Sequence, residues 1–194
     1  GKLNPTKLFK NKNVLILGTG PSITKFKEPI EEFIKTQKPV VIALNTKASI
    51  NNKFIDLRMA SHPIRIIADA KNYSKVAQPF VLPFTMLRSK IKDYFSKNKV
   101  HDYGIQIKPG KFKFDKNSCV IPSPLVAGYA LAAVTSGEAK QLFLCGFDGY
   151  GADDSRTKEM IRLLDDYKKS KGSMDLQSIT PTKYNITTLS LHGL

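Results

Sequence analysis

Cysteine and histidine are scarce in this chain, and their scarcity closes off several chemistries. Among 194 residues there are two cysteines, Cys119 and Cys145, and three histidines, His62, His101 and His192. Two thiols are too few for a disulfide framework. Cys145 also lies inside an apolar run that reads as a buried strand, so it reads as a core thiol in a reducing cytoplasm. No stretch approaches the ~20 continuous apolar residues of a membrane helix, and no signal-peptide pattern heads the chain. A G-x-x-x-x-G-K-[ST] loop is missing, which removes P-loop ATPase chemistry. No Ser–His–Asp or Cys–His arrangement points to nucleophilic hydrolysis.

Acidic residues are few as well. Sixteen Asp and Glu stand against thirty-one Lys and Arg, for a net charge of +15. Such a balance can steer nucleic acid, anionic membrane surfaces or phosphorylated metabolites. The lysines are scattered, however, and the densest stretch, residues 88–116, is interrupted by Asp93, Asp102 and Asp115. No RNA-binding motif or base-stacking aromatic run accompanies it, so no nucleic-acid partner is expected. Residues 97–116 read as an irregular basic loop, placed to act as a lid over an anionic ligand.

What the chain does contain is an alternation of apolar strands and amphipathic helices. Residues 13–18 read as a first buried strand, 39–44 as a second, 54–60 as a third, and 64–68 and 80–82 as shorter ones. Ile30, Phe33 and Ile34 give a helical stripe behind Pro29, and Leu87, Ile91 and Tyr94 give another. Ser123-Pro124 reads as the start of a small-residue helix, with serine as N-cap, proline at the first helical position and Gly137 as the stop. A strand over 141–145, a helix through Met160, Leu163, Leu164 and Tyr167, and a final strand over 184–191 complete the pattern. The class is α/β: one doubly wound, mainly parallel, Rossmann-like sheet over residues 1–194. The absence of an initiator methionine reads as a domain excised from a longer protein.

Two strand ends carry the chemistry. The first runs into Gly18-Thr19-Gly20-Pro21-Ser22, a turn whose backbone can approach a phosphate with a helix N-terminus behind it. On this reading, Gly20→Val should abolish nucleotide binding while leaving the fold intact. Ile23 replaces the third glycine of a dinucleotide fingerprint, and Asn45 stands where an acidic residue would close the second strand, which disfavours NAD. Asn45 can still hydrogen-bond a ribose or phosphate. The second strand end is Gly146-Phe147-Asp148-Gly149-Tyr150, where Asp148 can hold a ribose hydroxyl, a metal or an acceptor hydroxyl. Six of the sixteen acidic residues fall between Asp148 and Asp166. Their spacing matches no metal-binding loop, and helix-start carboxylates account for most of them. His62, after the third strand, is the histidine placed to enter a crevice; His101 and His192 read as surface residues. Thr182 in Thr180-Pro181-Thr182-Lys183-Tyr184 offers a hydroxyl for a phosphate.

These residues resemble a known group. The Gly-x-Gly-Pro-Ser turn, the strand ending in Asn45, the helix over 128–137 and the Gly146-Phe147-Asp148-Gly149-Tyr150 segment are similar to the bacterial sialyltransferases of glycosyltransferase family 42. They also resemble the Rossmann-like domains grouped with archaeal 6-hydroxymethylpterin diphosphokinase. A further likeness is to the domain appended to aldolase-like TIM-barrel proteins of bacterial surface-polysaccharide loci, through residues 8–12, 146–151 and 180–184. The resemblance implies a nucleotide or sugar-nucleotide ligand held by Gly18, Thr19, Gly20, Pro21, Ser22 and Asn45, with Asp148 and Tyr150 on the opposite wall. It implies a hydroxyl contact at the helix start, which here falls to Ser123 because Leu125-Val126-Ala127 replaces the family's Thr-Ser-Gly. The family's catalytic histidine has no counterpart in residues 177–184, which leaves Asp148 and His62 as candidates for proton transfer. Alternatives are an ATP-dependent pyrophosphokinase-like transfer with Mg²⁺ at Asp148 and Asp153 or Asp154, and a non-catalytic module of a fused aldolase-like protein.

Overall fold

The computed structural model describes residues 1–191 apart from Asn98 and Ala152; His192 lies outside the described residues. Eleven strands are formed: β1 (Asn13–Leu17), β2 (Val40–Leu44), β3 (Leu57–Met59), β4 (Phe80–Leu82), β5 (Val100–Asp102), β6 (Gly104–Ile107), β7 (Lys113–Phe114), β8 (Ser118–Ile121), β9 (Gln141–Cys145), β10 (Leu176–Ser178) and β11 (Thr187–Thr188). Eight of them make one sheet in the order β11-β10-β9-β1-β2-β3-β4-β5, every pair parallel. The doubly wound α/β expectation holds.

Helices are α1 (Thr6–Phe9), α2 (Ser22–Lys25), α3 (Lys27–Gln37), α4 (Pro63–Ala68), α5 (Ala70–Tyr73), α6 (Ser89–Lys92), α7 (Val126–Ser136) and α8 (Ser155–Lys169). Both faces of the central strands are covered, which is why their sequences are apolar throughout and do not alternate with polar residues. Strand residues point alternately to opposite faces, so β1 sends Val14 and Ile16 into the core under α7 and α8. Leu15 and Leu17 go to the other side, against Ile30, Phe33 and Ile34 of α3. Phe33 meets Phe143 of β9 edge-on, with centroids 5.3 Å apart. Each such aliphatic or aromatic side chain contributes about 1.5–3 kcal/mol by leaving water. The small residues of α7 let α8 approach closely: a Cβ at Gly128 would lie 2.7 Å from Leu163 Cδ1.

Several boundaries differ from the sequence reading. Residues 64–68 form helix α4, because Pro63 occupies its first turn and Ile66 alone turns inward. The third strand is confined to Leu57–Met59, since Asn51 caps a 3₁₀ turn over Asn52–Phe54. The helix expected around Leu87 to Tyr94 is the short α6 followed by a 3₁₀ turn at Asp93–Phe95. Only Thr187–Thr188 of the last expected strand pairs, as β11. α7 starts at Val126 with Leu125 as N-cap, so Ser123 and Pro124 lie before the helix. The basic stretch 97–116 is no irregular loop. It supplies edge strand β5 and, with β8, a second sheet of order β6-β8-β7. Its burial explains the difference: Asp102, Tyr103 and Phe112 are all inside, and Tyr129 donates a hydrogen bond to the Tyr103 carbonyl at 2.5 Å.

Candidate functional site

Strand β1 leads to β2 on one side while β9 pairs on the other, so the sheet reverses its winding between β1 and β9. Parallel sheets of this kind leave a crevice outside the carboxyl ends of the strands at that point. A cleft of about 470 Å³ opens there. Gly18, Thr19, Gly20 and Pro21 line it after β1, Leu44 and Asn45 after β2, and His62 and Arg65 after β3. The opposite wall is formed by residues 146–150 after β9, together with Arg156, Glu159 and Met160 of α8. Pro124, Leu125, Val126 and Ala127 at the start of α7 and Tyr184 complete the lining. The volume is in the range of small-ligand sites, roughly 300–1,000 Å³.

The two glycine segments are bonded to each other. Gly18 N–H donates to the Cys145 carbonyl at 2.8 Å and Gly20 N–H to that of Gly146 at 2.9 Å. Asp148 accepts from Ser22 twice, from the backbone N–H at 2.9 Å and from the hydroxyl at 2.7 Å. The negative charge at the start of α2 is therefore the protein's own carboxylate, and Ser22 is buried beneath it. A Cβ at Gly20 would collide with Asp148 Oδ2 and lie 2.6 Å from the Gly146 oxygen. Gly20→Val is thus expected to damage the fold, which corrects its reading as a clean probe of binding. Gly146 adopts φ of 72°, the left-handed region, and Ile23 fills the space where its side chain would be.

The 146–150 segment is also clasped from the side of β10. Gly146 N–H donates to Thr180 Oγ1 at 3.0 Å, Thr182 Oγ1 donates to the Phe147 carbonyl at 2.6 Å, and Lys183 N–H to the Asp148 carbonyl at 3.0 Å. Thr182 is committed to this clasp and is not among the cleft-lining residues. Ser123 does not line the cleft either, and its buried hydroxyl has no hydrogen-bond partner among the described residues.

Asn45 sits in the left-handed region with φ of 62°, its N–H bonded to the Met59 carbonyl at 2.8 Å. Arg58, only 1% exposed, holds the loop beyond it. Its guanidinium donates to the carbonyls of Asn45 (3.2 Å) and Thr46 (2.8 Å), to Asn52 Oδ1 (2.8 Å) and to Gln78 Oε1 (3.2 Å). All four acceptors are neutral, and desolvation lowers its pKa from the usual arginine value. His62 contributes an imidazole whose Nδ1 is buried without a partner among the described residues.

Cationic groups reach the cleft from two sides, and neither stood out in the sequence. Arg65 comes from α4. Arg156 lies over the Tyr150 ring at 4.2 Å and pairs with Asp154 at 2.5 Å; Asp154 is itself the N-cap of α8. The hydrogen bonds from Arg156 hold the Asp154 carboxyl below the usual range. A faint signal existed: Arg156 follows an Asp-Asp-Ser helix start, and Arg65 sits three residues after the histidine. At the start of α7 the expected Ser123 hydroxyl contact is replaced by the helix backbone itself. Its apolar N-cap offers no side-chain acceptor to the first N–H groups of an 11-residue helix, and those residues face the cleft. Residues 97–116, by contrast, contribute nothing to the lining, which corrects their expected role as a lid. His101 lies in β5, away from the cleft. Among the described residues, no group of three or more His, Cys, Asp or Glu is gathered to hold a metal ion.

Fold and site together define a Rossmann-like α/β domain with an open switch-point cleft. Among solved structures, the MAf glycosyltransferase from Magnetospirillum magneticum AMB-1 is similar over 96% of this chain, with a TM-score of 0.65 and 14% sequence identity. The chain spans 35% of that protein's length. No family model and no curated protein matches the sequence. None of the helices among the described residues is long and apolar enough to cross a membrane.

Proposed function

We propose that this domain binds a nucleotide or sugar nucleotide in the switch-point cleft and belongs to a glycosyltransferase of sialyltransferase-like type. The work suggested by the sequence resemblance is assembly of bacterial surface glycans in the cytoplasm, with an aldolase-like domain as a fused partner. One observation carries the reading. An uncapped helix N-terminus and two arginines converge on a cleft at the carboxyl ends of parallel strands. Helix amides and guanidinium groups are complementary to phosphate and carboxylate oxygens.

In this reading the anionic part of the ligand lies against the start of α7 with Arg65 and Arg156. Gly18, Thr19, Gly20 and Pro21 form the floor beneath the nucleotide, and Asn45 reaches its ribose or base. Ser22 acts through Asp148, Ser123 lies behind the start of α7, and Thr182 braces the Asp148 wall. Tyr150 stacks beside the sugar. The Asp148 carboxylate is held by Ser22 beside the end of β1, and His62 follows β3, two strands away, roughly 10 Å at about 4.8 Å per strand. They are assigned opposite ends of the ligand and separate roles. Transfer to an acceptor hydroxyl requires a base to take its proton. His62 supplies that base, and Asp148 orients hydroxyls on the donor side.

Calorimetric titration with CMP, CMP-sialic acid, UDP- and GDP-sugars, and ATP with and without Mg²⁺ tests the reading. The expected result is binding of a cytidine ligand that weakens about tenfold or more when Arg65 or Arg156 is changed to alanine. Binding of ATP only with Mg²⁺ would move the assignment to phosphoryl transfer. Absence of binding by every ligand would overturn a ligand-binding role for this chain.

A further inference from the structure

Beside the cleft mouth, α4 and the turn after β4 expose large apolar side chains that no described residue covers. Ile64 and Ile67 of α4 are 71% and 54% exposed, and Met86, in the 3₁₀ turn after β4, is 64% exposed. Strands β3 and β4 are adjacent and parallel, so α4 and the Met86 turn both follow carboxyl ends on the same side of the sheet. Their inward-facing residues, Ile66 and Phe84, pack in one cluster with Phe80, Leu82 and Phe95. Ile64 and Ile67, three apart on a helix, share one face.

The surroundings of this face are cationic. Residues 60–97 carry Arg65, Lys71, Lys75, Arg88, Lys90, Lys92 and Lys97 against two acids, Asp69 and Asp93. Lys92 packs over the Phe84 ring at 5.4 Å and reaches the Thr85 carbonyl, which holds its charge beside the Met86 turn. Among the described residues the ion pairs use Lys10, Lys35 and Arg156, and none of these seven.

We infer that this face docks on an anionic lipid surface, with Ile64, Ile67 and Met86 entering the headgroup boundary and the flanking lysines and arginines meeting lipid phosphates. Apolar side chains ringed by Lys and Arg are the chemistry that an interfacial site requires. A second copy of this chain fits the face poorly, because both copies carry +15 and the same cationic ring. Docking of α4 would set the cleft near the bilayer, since Arg65 of the same helix lines it. An acceptor embedded in the membrane would then meet the site without leaving the lipid.

Co-sedimentation of the 194-residue protein with phosphatidylcholine vesicles, with and without phosphatidylglycerol, tests this without any nucleotide. It is therefore independent of the proposed ligand. Binding is expected to the anionic vesicles, to weaken with salt and to be slight on neutral ones. A triple variant, Ile64→Ser with Ile67→Ser and Met86→Ser, should lower partitioning about tenfold or more while retaining the native circular dichroism. Arg88→Gln with Lys90→Gln should lower binding to the anionic vesicles alone. No binding, or full binding by the serine variant, would overturn the inference. Self-association that the serine variant abolishes, with no vesicle binding by the parent, would reassign the face to a second copy.

Discussion

Asp148 accepts both of its short hydrogen bonds from Ser22, one at each carboxylate oxygen, across 126 residues of sequence. The contact joins the turns after β1 and β9, the two strands between which the sheet reverses. It fixes the cleft wall and caps α2 in one step. Charge-assisted bonds of this kind contribute about 1.5–3 kcal/mol. Ser22→Ala should lower stability by about 1–2 kcal/mol, and Asp148→Ala by about 2–3 kcal/mol because it also strands a buried hydroxyl. Urea unfolding of both variants and of the double mutant checks this, and a coupling energy near zero would refute the contact.

Glycines in this region should differ sharply in tolerance. Gly20→Ala places a methyl group against Asp148 and the Gly146 carbonyl, so a loss of about 1–3 kcal/mol is expected. At Gly151 a Cβ meets nothing within 4 Å, and Gly151→Ala should stay within about 0.5 kcal/mol of the parent. Thermal unfolding of the pair, run side by side, separates close backbone approach from a general intolerance of the loop.

Arg58→Met removes the cation that gathers four neutral acceptors around the Asn45 loop. Those acceptors, three of them half-buried and Asn52 exposed, would lose their donor, at a cost of about 1–3 kcal/mol in all. Arg58→Lys retains the charge but cannot fork to Asn45, Thr46 and Asn52 together, and should recover less than half of the loss. Hydrogen exchange should show faster opening confined to residues 45–52 in the lysine variant; uniform acceleration would argue against a local role.

Alkaline pH should unfold the domain earlier than its surface charge suggests. Burial pushes the thiols of Cys119 and Cys145 up from 9.0 to about 12, and the Tyr184 phenol from 10.0 to about 12. In each case the native chain holds a proton that the unfolded chain releases first. The stabilisation is complete below pH 9 and is lost as pH rises toward about 12. Urea midpoints measured across that window should fall steadily. The double variant Cys119→Ala with Cys145→Ala should show a shallower slope between about pH 9 and 10. An unchanged slope would show that the thiols are not shielded.

Much of this architecture could be read from local pattern. The unbroken apolar runs of β1, β2 and β9 announced strands covered on both sides, and the 3.6-residue spacing of Met160, Leu163, Leu164 and Tyr167 announced α8. Short elements were harder to read. Ile64 to Ala68 looks like a β-rich run, yet Pro63 and a single inward residue make it a helix. The stretch 97–116 looked irregular because its strands are two to four residues long and its lysines hide the buried Asp102, Tyr103 and Phe112. At the cleft, the two glycine turns were legible as strand ends. Arg65 and Arg156 were not, because their chains are separated by 91 positions and only the sheet order brings them to one opening.

Local residue pattern was enough for the alternation of the main elements, the apolar faces of β1, β2, β9 and α8, and the turns at the carboxyl ends of β1 and β9. These follow from side-chain period and glycine geometry, which act over a few residues. Tertiary structure alone decided which donors remain open to a ligand. Hydrogen bonds to Cys145, Gly146 and Asp148 engage the Gly18, Gly20 and Ser22 amides of the glycine turn, while the apolar N-cap at Leu125 leaves the start of α7 facing the cleft without a side-chain acceptor. Each backbone N–H donates one strong hydrogen bond, so its availability depends on what the rest of the chain brings to it.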